Sequence, residues 1–308
     1  MKQIDIFSPS QVNSSQQPAP LGDYDLQFLA QGDSWFSLGA FPPWNTANLF
    51  NGMSTLNIGA CAVNCAQPGA QLALMTDTTR NPYFIAFLNG YLSRRWAGLL
   101  LSGGGNDVIA AANQSPNNTP DLRLLATQSE WTQTPGGERY LSNAGWQTFC
   151  NHITAVFNNL LAARDSGENK GMPVVWHSYD IPQPRNVGAG LGVGPWLYPA
   201  MVAYKIPQED WLAVAKALLG RLETLQDHLA ANTADGSVYV VHGQGTLTPA
   251  LVTDAGTSAD WANEIHPTSA GYRKLSALWQ PVLTAVFEGT INVTAAGTPT
   301  ATNLEGGG

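Results

Sequence analysis

Leu26-Gln27-Phe28-Leu29-Ala30-Gln31-Gly32-Asp33-Ser34 is a short apolar run that ends in Gly, Asp and Ser. Four more runs have the same shape. Leu56–Val63 ends at Asn64, and Gly98–Leu101 at Ser102-Gly103-Gly104-Gly105-Asn106-Asp107. Pro173–Trp176 ends at His177-Ser178-Tyr179-Asp180, and Val238–Val241 at His242-Gly243-Gln244-Gly245. Short apolar runs with polar endings suit buried parallel strands. Helical spacing fills the gaps. Trp146, Phe149, Ile153, Val156, Leu160 and Leu161 recur at three to four residues, as do Trp211, Val214, Leu218, Leu222, Leu225 and Leu229. A further helix is expected from near Thr268 through Leu275, Leu278, Val282 and Val286. Strands alternating with helices predict a doubly wound α/β sheet, whose sites form at the C-terminal ends of the strands.

Composition is consistent with that. The chain has 308 residues, 44% hydrophobic and only 12% charged, enough for a sizeable core. Its net charge of −8 and lack of any Lys/Arg run argue against nucleic acid or anionic membrane as partners. No stretch reaches the roughly 18 apolar residues of a membrane span. Residues 1–17 lack an apolar h-region and do not read as a signal peptide. The chain is therefore expected to be soluble, and either intracellular or exported with a leader removed. Cys61, Cys65 and Cys150 are too few for a disulfide framework and read as free thiols.

The expected organisation is a flexible segment at 1–20, one domain at 21–288, and a low-complexity tail at 289–308. The tail's Leu304-Glu305-Gly306-Gly307-Gly308 resembles a cloning scar. Two long polar or Gly/Pro-rich stretches, 111–139 and 181–207, interrupt the domain. Loops of that length are uncommon and often functional. The second follows a strand's C-terminal end, so it either overhangs the site as a lid or decorates the surface.

Four strand ends carry the chemistry. Ser34 leaves a strand at Gly32-Asp33-Ser34, where a nucleophile's hydroxyl would be exposed near a backbone N–H. The same tripeptide also makes ordinary turns. The Gly-x-Ser-x-Gly elbow of α/β-hydrolases is absent. Gly103-Gly104-Gly105-Asn106-Asp107 lets the backbone approach a ligand closely, with the Asn106 amide as a candidate oxyanion donor. It lacks the Lys-Ser/Thr ending of a phosphate-binding loop. Gly69, in Asn64-Cys65-Ala66-Gln67-Pro68-Gly69, is expected to begin a helix and offer its N–H. In Asn263-Glu264-Ile265-His266-Pro267-Thr268, Pro267 and Thr268 suit a helix start and would anchor His266 rigidly. His152 and His228 fall on helical patterns and read as structural. His177 and His242 end strands and stay open as alternative bases.

Taken in order, Gly32-Asp33-Ser34, Gly69, Gly104-Gly105-Asn106-Asp107 and His266 resemble the four sequence blocks of SGNH (GDSL-like) hydrolases. The resemblance spans Leu26 to about Val286. It implies a flavodoxin-like three-layer α/β/α sandwich on a five-stranded parallel sheet. It also implies serine ester hydrolysis through an acyl-enzyme on Ser34, with His266 as base. The oxyanion hole would be Ser34 N–H, Gly69 N–H and the Asn106 amide. The family usually has Asp three residues before the base histidine, and here that residue is Asn263. Asn263 is the candidate orienter of His266. Glu264, Asp260 and Asp180 are alternatives, although Glu264 is adjacent to the loop's other candidate and neighbours usually point apart. No cofactor and no metal are expected, since no Cys/His cluster has zinc-site spacing. The expected partner is a small-molecule ester, with no obligate protein partner. Trp35, Phe36, Trp44 and Trp196–Tyr198 suggest apolar walls. An acyltransferase, a carbohydrate deacetylase and a catalytically silent binding module of this fold are the competing readings.

Overall fold

The structure is a computed structural model that describes residues 1–37, 47–55, 57–190 and 192–288. The central sheet has six parallel strands: β1 (Asp5–Phe7), β2 (Leu26–Gly32), β3 (Ala60–Asn64), β4 (Gly98–Ser102), β5 (Val174–His177) and β6 (Val238–Val241). Their spatial order is β1-β3-β2-β4-β5-β6. All five apolar runs of the sequence became strands. The sixth, β1, is the strand the sequence reading missed. Its three residues pair with Cys61, Ala62 and Val63, a run too short to show a period of two. Residues 1–20, expected to be a flexible segment, therefore hold structure. Lys2–Gln3 pairs antiparallel with Ser54–Thr55, Ile4 is buried, and Pro9–Val12 forms a helical turn.

The chain leaves β2 for β3 on one side and then crosses to β4 on the other. That reversal opens a crevice at the C-terminal end of β2, where ligands bind in sheets of this kind. Ser34 stands at that point. It begins the helical turn α1 (Ser34–Ser37).

Helices cover both faces of the sheet. After α1 come α2 (Pro82–Leu88), α3 (Gly105–Ala112), α4 (Asn143–Asp165), α5 (Trp211–Ala231) and α6 (Ser269–Ala277). Successive strand residues point to opposite faces, and two neighbours on β5 show what lies on each. Trp176 stacks on Phe157 of α4, with ring centroids 4.9 Å apart. His177 faces Trp35 at 5.5 Å and Trp279 at 5.9 Å. The 3–4 stripe of α4 is buried through Phe149, Ile153, Val156, Phe157 and Leu160, and that of α5 through Val214, Leu218, Leu222, Leu225 and Leu229. With both faces covered, β4 and β5 are buried throughout.

The last expected helix is broken. It stops at Ala277, resumes at Trp279–Leu283 and ends as a π-turn at Thr284–Glu288. Pro281 explains the break. It has no N–H to give, and its ring crowds the carbonyl of Ala277 four residues back. The tail at 289–308 lies outside the described residues. Residues 111–139 fold as three 3-10 turns at Pro120–Leu122, Gln128–Glu130 and Gly136–Tyr140. Cys61, Cys65 and Cys150 are free, and burial pushes the Cys61 and Cys65 thiols up to about 12. No described helix is long and apolar enough to cross a membrane.

Candidate active site

Asp33 caps the turn that presents Ser34. The first N–H groups of a helical turn have no partner within it. Asp33 Oδ1 accepts from Trp35 N at 2.9 Å, while the Asp33 carbonyl takes Phe36 N and Ser37 N. Among the described residues none accepts from Ser34 N–H.

The Asp33 side chain is itself held from below. Ser102 Oγ, at the end of β4, donates to Oδ1 at 2.9 Å, and the Tyr179 hydroxyl donates to Oδ2. Burial pushes the Asp33 carboxyl up to about 6, against the pull of these donors. Asp33→Ala would leave three buried donors without an acceptor. Unsatisfied buried groups cost about 1–3 kcal/mol each. The variant should therefore lose about 3–5 kcal/mol of stability, read as a lower urea midpoint at unchanged slope. A loss below about 1 kcal/mol would contradict this account of the turn.

His266 meets Ser34 from the other end of the domain. Its Nε2 lies 2.9 Å from Ser34 Oγ. On the far side of the ring, Nδ1 lies 3.1 Å from Asn263 Oδ1. The orientation of the Asn263 amide is determined by the backbone. Oδ1 also accepts from Ile265 N at 3.1 Å and His266 N at 2.9 Å, so oxygen and not nitrogen faces the ring. Nδ1 must then carry the proton, which leaves the Nε2 lone pair directed at Ser34. Thr268 Oγ1 caps α6 by accepting from Gly271 N, and this pins the chain just after His266 and Pro267.

Asn263 brings no charge to offset burial. Desolvation lowers His266 from its ordinary 6.5 to about 4. The ring is neutral above that value and able to accept a proton. If it acts as base, kcat/KM should hold as pH falls and drop only near pH 4. Asn263→Asp places a negative charge on Nδ1–H and favours the imidazolium. The acidic limb should then move to higher pH by about 1–3 pH units. A kcat/KM profile from acid to neutral pH checks this, and an unmoved limb would mean that position 263 does not act on the ring.

Asn106 sits in the first turn of α3. Gly104 before it has φ of +102°, a left-handed conformation that side-chain-bearing residues resist. A Cβ on Gly105 would come within 2.9 Å of the Tyr179 ring. Asn106 Nδ2 donates to Ala70 O at 3.1 Å, and Leu72 N donates to Asp107 Oδ2 at 3.1 Å. These two bonds tie the start of α3 to the turn after β3. Gly69 is exposed in that turn with φ of +74°, one residue before the carbonyl that Asn106 holds. The helix expected to begin at Gly69 starts instead at Leu72, as the short turn Leu72–Met75.

Ser34 and Asn106 line one small pocket with a cavity volume of about 30 Å³. Its apolar walls include Val108, Ile109, Leu197, Leu219 and Ile265. Gly69 does not line it. The 181–207 stretch does reach the site. Pro182 and Leu197 line the pocket, and the Trp196 ring stands edge-on to the His266 ring at 5.1 Å. Trp35 and Phe36 are buried, with Trp35 also lining the pocket, whereas Trp44 lies outside the described residues.

The other candidates are engaged elsewhere. His177 Nε2 contacts Ser102 Oγ at 2.8 Å and Nδ1 contacts Ser178 O at 2.9 Å, both beneath the turn. Burial lowers His177 to about 4. His242 is exposed and lies 3.5 Å from Asp227. His228 bonds Asn232, one turn on along α5. Asp180 accepts from Gly245 N and Leu247 N, and Asp260 pairs with Lys274 at 2.6 Å, so neither contacts His266. Glu264 points away from the ring, as adjacency implied, into a cage of backbone N–H groups. Among the described residues no group of three or more His, Cys, Asp or Glu could hold a metal ion.

Solved structures similar to the chain include proteins described as lipases and esterases. The chain is similar to an extracellular lipase from Streptomyces rimosus at 15% identity and a TM-score of 0.47, covering 85% of this chain and 99% of that one. It is similar to an acetyl xylan esterase from Butyrivibrio proteoclasticus at 12% identity and a TM-score of 0.46, covering 87% and 65%. It is also similar to a protein described as a GDSL-like lipase from Bacteroides ovatus, at 11% identity and a TM-score of 0.41, covering 89% and 58%. No family model matches the chain. A stretch of 112 residues is 31% identical to C-type mannose receptor 2 of Mus musculus and of Rattus norvegicus, covering 35% of this chain. The chain spans about 7% of the length of these curated relatives.

Proposed function

We propose that the chain is a serine carboxylester hydrolase of the SGNH type. The observation that carries this reading is the 2.9 Å contact between Ser34 Oγ and an imidazole nitrogen whose lone pair the Asn263 amide leaves free. His266 Nε2 takes the Ser34 proton as Oγ attacks the ester carbonyl. The carbonyl oxygen becomes an oxyanion, which Ser34 N–H and the Asn106 amide stabilise. Gly69 N–H is the third donor that the family resemblance implies. The tetrahedral intermediate collapses, and imidazolium Nε2–H gives its proton to the leaving alkoxide. A water then attacks the acyl-enzyme with Nε2 as base, the carboxylic acid leaves, and Ser34 regains its proton.

The dyad lacks the usual carboxylate. Asn263 supplies orientation and a neutral acceptor, so the imidazolium gains less stabilisation than it would from a charged partner. The formed Ser34–His266 contact favours an active enzyme over a silent binding module of the same fold.

Labelling with a fluorophosphonate, which esterifies activated serines, tests the reading. One adduct is expected on the wild-type chain, at Ser34 by peptide mass, and none on Ser34→Ala. Equal labelling of the two proteins would refute it.

A further inference from the structure

Beneath Ser34 a hydrogen-bonded relay runs from Asp33 into the sheet and ends on a carbonyl. Asp33 Oδ1 lies 2.9 Å from Ser102 Oγ, Ser102 Oγ lies 2.8 Å from His177 Nε2, and His177 Nδ1 lies 2.9 Å from Ser178 O. All four residues are buried. Each of the three links needs one proton, and both ends, a carboxylate and a carbonyl, only accept. A neutral imidazole brings one proton and the Ser102 hydroxyl brings another. With those two alone, one link would hold two facing lone pairs, an arrangement that buried polar groups avoid. A third proton closes the relay.

His177 and Asp33 compete for that proton. On His177 it would make an imidazolium, in a ring that lies among Trp35, Phe36, Tyr179 and Trp279. Burial there lowers His177 to about 4. On Asp33 it makes a neutral carboxylic acid, and burial raises Asp33 to about 6. The groups that face Asp33 act the same way. Tyr179 after β5 donates to Oδ2, Asp107 of α3 repels a charge on Asp33, and Tyr272 of α6 feels that charge too. None of these is a cation. The proton therefore belongs to Asp33. Its O–H donates to Ser102 Oγ, the Ser102 hydroxyl turns to His177 Nε2, and Nδ1–H donates to Ser178 O. Asp33 also lines the small pocket that Ser34 and Asn106 line. A carboxylate there would oppose the oxyanion that forms as Ser34 attacks, and the neutral acid does not.

We propose that His177 and Ser102 are positioning residues that keep a proton on Asp33, so that the wall beneath the nucleophile is neutral while the oxyanion forms. The inference rests on the esterase reading of Ser34 and His266. It gives kcat/KM two limbs. His266 must be neutral, which holds above about 4, and Asp33 must be protonated, which holds below about 6. As pH rises through the upper value Asp33 ionises and Ser102 turns its hydroxyl to the carboxylate. The His177 Nε2 lone pair is then left without a donor. The loss falls mainly on kcat, because the neutral ester feels the new charge less than the oxyanion does.

Carbon-13 NMR of the full chain, labelled at its aspartate carboxyls, tests the relay, with Asp33 assigned through bonds to its own amide. The wild-type Asp33 carboxyl should be protonated in mild acid and lose its proton at about pH 6. His177→Phe keeps a ring among the same aromatic neighbours but has no lone pair to leave unfilled. Asp33 should then titrate about 1–2 pH units lower. The alkaline limb of kcat/KM on p-nitrophenyl acetate should move down with it. A role for His177 in packing alone would leave both where they are. An Asp33 already ionised in mild acid overturns the inference on the wild-type chain, even if His177→Phe does not fold. A titration unmoved in His177→Phe overturns it as well, and so does a titration that moves while the alkaline limb stays. These results leave the esterase reading intact. Hydrolysis by the wild-type chain no faster than by Ser34→Ala overturns both.

Discussion

Ser34→Ala is expected to lower kcat on a short-chain p-nitrophenyl ester by about 10⁴-fold or more, with KM moving only a few-fold. Removing the nucleophile of a serine–histidine unit costs on the order of 10⁶ in kcat where it has been measured in a serine protease. What survives comes from the oxyanion donors and from binding. The lower figure here allows for a dyad whose base is oriented by an amide rather than a carboxylate. His266→Ala should cost as much as Ser34→Ala, and the double variant little more, because the two groups act as one unit. The fold should be unaffected by the serine change. Among the described residues the Ser34 hydroxyl bonds His266 alone, and the Asp33 cap that shapes the turn uses backbone N–H groups and the Ser102 and Tyr179 hydroxyls. An unchanged melting temperature with a kcat loss below about 10²-fold would mean that another group attacks the ester.

The parts of this site that were legible in the sequence share a physical cause. A strand must end somewhere, and a buried parallel strand that ends in Gly-Asp-Ser or Gly-Gly-Gly-Asn-Asp announces its ending in residue types, as Pro267-Thr268 announces the start of a helix. The Ser34, Asn106 and His266 positions follow from that. So does Asn263, whose Oδ1 the structure places 3.1 Å from Nδ1. The missed parts depend on partners far away in the chain. Asp33 was read only as a neighbour of the serine, although an Asp before a helical turn is a common cap. Its hold on Ser102 and Tyr179 joins residues 69 and 146 positions apart. In the sequence Glu264 is an alternative orienter of His266, disfavoured only by its adjacency. Its four N–H partners lie 66 to 79 positions away, in a stretch without periodicity. The reading of 181–207 as lid or decoration could be decided only through those bonds. β1 escaped for a different reason. Three residues are too few to carry a pattern, and only the open edge of β3 gives them a place.

Asn106→Ala is the second large effect, a fall in kcat of about 10²–10³ with KM little changed. The Asn106 amide has two protons. One is spent on Ala70 O at 3.1 Å, which turns the other away from the turn after β3. Asn106 lines the same pocket as Ser34, so that second proton can meet an oxygen that becomes charged only as Oγ attacks. A donor of this kind is worth more in the transition state than on the neutral ester, which places the loss in kcat rather than KM. The loss should stay smaller than that of Ser34→Ala, because Ser34 N–H remains and water can enter the space the amide vacates. The substitution also frees the Ala70 carbonyl. A purely structural role would therefore show as a lower melting temperature with catalysis nearly intact. A kcat loss below about tenfold with the fold preserved would remove Asn106 from the oxyanion hole. Gly69 and Ser34 N–H would then be left to hold the charge, and Gly69 lies outside the pocket that Ser34 lines.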